Sequence, residues 1–138
     1  MLEPPEGRPR PKRGWIFAGA LATTGLVCYL ALVLGSWGFD FRRYQEHEGR
    51  LRRLALQQPT LDRVTRGLAD EGSALIDSPD GPAALEQAAR IRGGGKAGEV
   101  LEKGRRWPLT RVFLAGDMVY FLYFDGEAVL RDFTCVSR

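Results

Sequence analysis

The sequence predicts an α+β protein: a single N-terminal transmembrane helix, then short helices, then a three-stranded antiparallel β-meander. Three observations lead there. Residues Trp15–Phe39 include no charged side chain. Between Pro59 and Gly104, apolar residues recur at helical spacing in short runs separated by Pro and Gly. From Leu109 onward the chain is rich in β-branched and aromatic residues, cut twice by two-residue turn signals.

The 138 residues suffice for one ordinary domain. The formal charge of +3 is spread along the chain, which makes no case for a nucleic-acid partner. The basic residues are arginine apart from Lys12, Lys96 and Lys103, and asparagine is absent, a composition that points to a GC-rich, bacterial genome. Cys28 falls in the apolar run and Cys135 in the strand region, so no intradomain disulfide is expected.

Residues 1–13, rich in Pro, Glu and Arg, form an expected disordered basic tail. Residues 14–39 follow as the transmembrane helix. "WIFAGALATTGLVCYLALVLGSWGF" is long enough to cross a hydrocarbon core of roughly 30 Å. Trp15 and Trp37 stand near its ends, where indole rings favour the headgroup zone, and are the expected membrane-interface residues. The run exceeds the apolar core of a signal peptide and no small-x-small cleavage site follows it, so an uncleaved single-pass anchor is expected. Arg8, Arg10, Lys12 and Arg13 flank one end, Arg42 and Arg43 the other. The nearest residues favour an inside N-terminus, which puts the C-terminal domain in the periplasm of a bacterial inner membrane. The small residues Ala18, Gly19, Ala22 and Thr23 permit close approach of a second helix, hence a homodimer.

Residues 40–58 continue as a juxtamembrane helix with Tyr44, His47, Leu51 and Leu54 in one stripe. Pro59 ends it and opens the domain 59–138. Thr60 is placed to cap a helix over Leu61–Gly72 with the stripe Leu61, Val64 and Leu68. "DSPDGP" is a turn cluster, and Pro82 opens a helix carrying Leu85, Ala88, Ala89 and Ile91. Gly93–Gly95 breaks it, and "KAGEVLEKG" adds further helical turns up to Gly104.

"LTRVFLA", "MVYFLYF" and "AVLRDFTCV" are the three strands, joined by Gly116-Asp117 and Asp125-Gly126. Two-residue loops pair Leu114 with Val119, Val112 with Phe121, Phe121 with Leu130 and Tyr123 with Ala128. One face then holds Val112, Leu114, Val119, Phe121, Tyr123, Ala128 and Leu130. The other holds Arg111, Phe113, Met118, Tyr120, Leu122, Phe124, Val129, Arg131 and Phe133. Both are apolar. The helices between 61 and 103 are expected to cover the Phe121 face. The opposite face is expected to stay open and bind a partner through Arg111, Phe113, Met118, Tyr120, Leu122, Phe124, Arg131 and Phe133, types enriched at protein interfaces. The alternative is that the 40–58 helix folds back over it.

"GGGK" lacks the first glycine of a phosphate loop and has Ala97 where Ser or Thr belongs. His47, the one histidine, is expected on a solvated face. No metal constellation, cofactor motif or nucleophile–base arrangement is visible, so neither a cofactor nor an enzyme is expected.

"IRGGGKAGEVLEKGRRWPLTRVFLAGDMVYFLYFDGEAVLRDF" resembles the small accessory lipoproteins of outer-membrane β-barrel assembly, the BamE/SmpA-like fold. Gly95, the helix of Val100 and Leu101, Gly104, Pro108 and "VYFLYF" follow that family's order over the last third of the chain. The chain differs in having no lipobox, in its apolar helix and in the spacing of Gly104 and Pro108. The resemblance implies an α+β module that scaffolds a membrane complex. "KRGWIFAG" is similar to a prepilin processing site, but Gly19 stands where that family has a glutamate. The expectation is a non-catalytic accessory or scaffolding subunit contacting other subunits and the bilayer. A small-ligand sensor domain and a pilin-like assembly subunit are the alternatives.

Overall fold

The computed structural model describes residues 13–138, so all of the expected basic tail but Arg13 lies outside the described residues. The elements are α1 (Arg13–Leu56), α2 (Leu61–Asp70), β1 (Ala74–Asp77), α3 (Pro82–Arg92), α4 (Ala97–Arg106), β2 (Leu109–Ala115), β3 (Met118–Phe124) and β4 (Leu130–Ser137), with a single 3₁₀ turn at Gly94–Lys96. The chain divides into two compact units inside α1, residues up to Phe41 and residues Arg42–Arg138.

In the first unit every described side chain is exposed except the half-buried Val33. α1 is long and apolar enough to cross a membrane, by length and composition. Trp15 and Trp37 are 82% and 73% exposed. The Thr23 and Thr24 hydroxyls donate to the Gly19 and Ala20 carbonyls at 2.8 Å, which satisfies both within their own helix.

The second unit is built on a four-stranded antiparallel sheet in the order β1-β2-β3-β4. The expectation of three strands is corrected by β1. Its segment "ALID" is too short to show a strand period, and pairing with β2 (Ala74 with Leu114, Leu75 with Phe113) makes it a strand. The β2–β3 hairpin has the expected register, Leu114 opposite Val119 and Val112 opposite Phe121. Gly116 sits at φ 61° and supplies the positive φ that a two-residue hairpin turn needs.

The β3–β4 hairpin differs. Asp125 N–H donates to the Val129 carbonyl and Ala128 N–H to the Asp125 carbonyl, both at 3.0 Å, so the loop holds Gly126, Glu127 and Ala128. Ala128 takes φ 59°, the left-handed position that closes a three-residue loop. The Asp125 carboxylate organises it, accepting from Glu127 N–H at 2.9 Å, Val129 N–H at 3.0 Å and Arg131 Nε at 2.7 Å. The register shifts again between Tyr123 and Phe124, so Phe121 pairs with Thr134 rather than Leu130, and Tyr123 with Asp132 rather than Ala128. Between the loop and this irregularity the displacement is odd, which turns Leu130 to the Tyr120 face instead of the expected Phe121 face. Beyond it the displacement is even, and Phe133 lies beside Leu122 on the Tyr120 face.

Every residue of β3 is buried. On the Phe121 side, Val112, Val119, Phe121, Tyr123 and Val136 pack with Leu85, Ala88 and Ala89 of α3 and Val100 of α4. Gly104 makes that contact close, since a Cβ there would lie 2.6 Å from the Leu85 side chain. On the Tyr120 side, Phe113, Met118, Tyr120, Leu122, Phe124, Leu130 and Cys135 pack with Leu51 of α1 and Val64 and Leu68 of α2, with Tyr44, Leu54 and Leu61 around them. The covering helices are therefore divided: α2 joins the end of α1 on the Tyr120 face, and only α3 and α4 cover the Phe121 face. Backbone bonds fix this arrangement: Leu61 N–H donates to the Ala128 carbonyl at 2.8 Å and Leu130 N–H to the Pro59 carbonyl at 2.9 Å.

Leu51 is 1% exposed and is the one fully buried side chain that α1 contributes. Leu51→Ala should lower unfolding stability by about 2–5 kcal/mol. Urea titration of the purified variant checks this, and a loss within about 0.5 kcal/mol, the scale of a surface change, would mean that α1 does not cover the sheet.

Candidate functional site

The face expected to bind a partner is interior. Tyr120, Leu122 and Phe124 are 0% exposed, Phe113 is 1% and Met118 is 5%. Phe133 is half-buried against the same cluster, with Lys103 Nζ 5.9 Å from its ring centre. The stripe Tyr44, His47, Leu51 and Leu54 is the lid. Arg111 is largely buried, donates to the Thr110 carbonyl at 2.8 Å and lies 3.7 Å from Asp80. Arg131 sits at the register irregularity of β4, paired with Asp125. The open docking surface expected from these eight residues is thus corrected: Phe113, Met118, Tyr120, Leu122, Phe124 and Phe133 do share one face, but the layer over them comes from the same chain.

The lid brings polar groups that the sequence did not connect. His47, expected on a solvated face, is half-buried and its Nδ1 is hydrogen-bonded to the Tyr120 hydroxyl. Burial pushes the Tyr120 pKa up to about 12, so the phenol keeps its proton. Burial, then the Arg50 and Arg43 charges, hold the His47 pKa below its usual value. Both shifts favour a phenol donating to a neutral imidazole.

Tyr44 donates to the Cys135 carbonyl at 3.2 Å and accepts from Lys96 Nζ. Burial opposes the Lys96 charge, but the Tyr44 hydroxyl and the carboxylates Glu99 and Glu48 outweigh it, and the Lys96 pKa is raised. Lys103 Nζ donates to the Phe133 carbonyl at 2.8 Å and to Asp132 at 3.1 Å, and pairs with Glu99 at 3.1 Å. Tyr123 donates to Thr134 at 3.1 Å and Thr134 to Glu99 at 3.3 Å, so the buried hydroxyls end on a carboxylate. Burial raises the Cys135 thiol to about 12, which removes the thiolate character a nucleophile needs. Among the described residues, no group of three or more His, Cys, Asp or Glu side chains is placed to hold a metal ion.

The apolar surface of the second unit that stays open lies elsewhere. A groove of about 530 Å³ runs beside β1, with Val119 and Val136 at its floor and Ile76, Leu114 and Ile91 at its sides. Ile91 is 64% exposed. Arg92 at the rim is held by Asp77 at 2.9 Å. The sequence reading named Ile91 with Leu85, Ala88 and Ala89 as apolar residues of this helix; its place one position off the face of the other three was the signal that it points away.

Comparison with protein families, with curated proteins and with solved structures finds no match for this chain.

The His47 contact makes stability depend on pH. The folded pKa lies below 6.5, so on acidification the unfolded chain takes up the proton first. The contribution is complete above the usual histidine value and is lost as pH falls through it toward the folded value. Thermal melts at about pH 7.5 and about pH 5.5 should show a larger acid loss for the native chain than for His47→Gln. Equal losses would remove His47 as the source.

Proposed function

We propose that the protein is a single-pass membrane-anchored, non-catalytic accessory subunit of a bacterial inner-membrane complex, with its domain on the periplasmic side. The observation that carries this reading is the contrast within α1. Its apolar N-terminal part is exposed along its length, while its C-terminal part supplies a fully buried residue to the sheet's core. A helix left apolar and uncovered over that length suits hydrocarbon and not water. The arginine-rich, asparagine-free composition supports the bacterial assignment, and the basic residues nearest the N-terminal end support the orientation.

The partner surface is the groove beside β1 and no longer the Tyr120 face. Its occupant is an apolar segment of another subunit, seated between Ile91 and Ile76 on the Val119–Val136 floor. Tyr44, His47 and Lys96 are engaged in holding the lid, and burial keeps the Cys135 thiol protonated; both support a scaffolding role over a catalytic one.

Two measurements test the reading. Washed membranes should retain the native chain through alkaline extraction, and Leu26→Arg with Leu30→Arg should release it. Ile91→Asp should leave domain stability within about 0.5 kcal/mol, as a surface change does, yet dissociate the subunits that co-purify in mild detergent. Release of the native chain by alkali defeats the anchor, and co-purification unchanged by Ile91→Asp defeats the groove.

A further inference from the structure

A second, smaller cavity of about 260 Å³ lies between the last turns of α1 and α2. It is separate from the groove beside β1, and its walls follow from helical spacing. Arg50, Leu51, Leu54 and Gln57 line it from α1, and Val64, Gly67, Leu68 and Glu71 from α2. The floor is apolar: Leu51, Val64, Leu68 and Tyr120 are all buried. The Tyr120 hydroxyl is already engaged by His47, so the floor presents its ring and asks for no polar partner.

The mouth is cationic. Three arginines, Arg50, Arg53 and Arg63, line it against the single carboxylate of Glu71. Arg50 is paired with Glu71. Arg53 and Arg63 are exposed and have no carboxylate partner among the described residues.

Gly67 lines the same cavity from α2. It sits inside α2, where a glycine costs about 1 kcal/mol relative to alanine. Its backbone does not require glycine, and a Cβ there would meet nothing within 4 Å. Gly67 is exposed at the rim of the cavity, so the space beside it is open and a long side chain at that position would occupy it. That space adjoins two uncompensated guanidinium groups and ends on apolar side chains.

We infer that this cavity binds a small anionic amphiphile: a short acyl chain in the space beside Gly67, its carboxylate between Arg53 and Arg63. The volume lies just below the roughly 300–1,000 Å³ of pockets for drug-sized ligands, which limits the occupant to a short chain. Octanoate is the matching probe, and octanol is the same chain without the charge.

The experiment uses the full chain in nanodiscs of neutral lipid, titrated calorimetrically with octanoate and with octanol, with protein-free nanodiscs as blanks. Octanoate should bind saturably, and octanol about five- to tenfold more weakly, the worth of two rim-exposed ion pairs. Arg53→Gln with Arg63→Gln should reduce octanoate to the octanol level while leaving octanol unchanged. Gly67→Leu should abolish both, with a melting temperature that does not fall, so lost binding is not lost folding. Octanoate heats no different from the blanks, equal affinity for the two probes, or full binding by Gly67→Leu would each overturn the assignment. None of these outcomes depends on the groove or on any partner subunit.

Discussion

A strand without a wet side governs this domain. Met118–Phe124 places Met118, Tyr120, Leu122 and Phe124 on one face and Val119, Phe121 and Tyr123 on the other, all of them buried. A sheet with one solvated face tolerates alternation; this one does not, and needs a layer on each side. With α3 and α4 on the Phe121 face, the second layer comes from α2 and from the end of a helix whose beginning is apolar and exposed. The final turns of α1 are thus part of the domain's core, and Leu51 is as much a core residue as Phe121.

That constraint explains where the polar groups went. Closing a helix over an aromatic face brings Tyr120's hydroxyl and the backbone of β4 out of water, where unpaired groups are costly. His47 takes the hydroxyl. Tyr44 and Lys103 take the Cys135 and Phe133 carbonyls of β4, a strand with no neighbour on its far side. These bonds satisfy the backbone and occupy acceptors that another strand would use. Several of the charged and aromatic side chains near the sheet thus serve closure, and a reading that treats them as free recognition groups miscounts them.

Much of the architecture was legible in the sequence because the deciding signals were local. The uncharged Trp15–Phe39 run, Pro82 at the start of α3, Gly116 at the tight turn and the apolar stripe of Tyr44, His47, Leu51 and Leu54 are each set by neighbours in the chain. What was not legible depends on distant partners. β1 is a strand only because β2 is beside it. Asp125-Gly126 matches a two-residue turn, but the Asp125 carboxylate collects Glu127, Val129 and Arg131 and enlarges the loop, which moves Leu130 to the other face. The choice between an open Tyr120 face and a helix folded over it turned on tertiary packing that no local pattern records. The open surface that replaced it was hidden in the same way, for Ile91 has a core residue's chemistry and a solvent-facing position.

The two edges of the sheet show how one domain can be sealed on one side and left available on the other. β4 is long, and its outward carbonyls at Phe133 and Cys135 are taken by Lys103 and Tyr44. β1 has four residues with an irregular register between Leu75 and Asp77. Shortness and irregularity protect an edge against indiscriminate strand pairing. They do not close the Phe121 face beside β1, where Ile91 stays exposed next to a groove whose floor, Val119 and Val136, belongs to the buried core. An occupant of that groove would extend the hydrophobic layer made by α3 and α4 beyond the reach of those helices. On the proposed reading, recognition there would continue folding: Val119 and Val136 share the face that α3 and α4 cover, and a partner segment would lengthen that layer past Ile91.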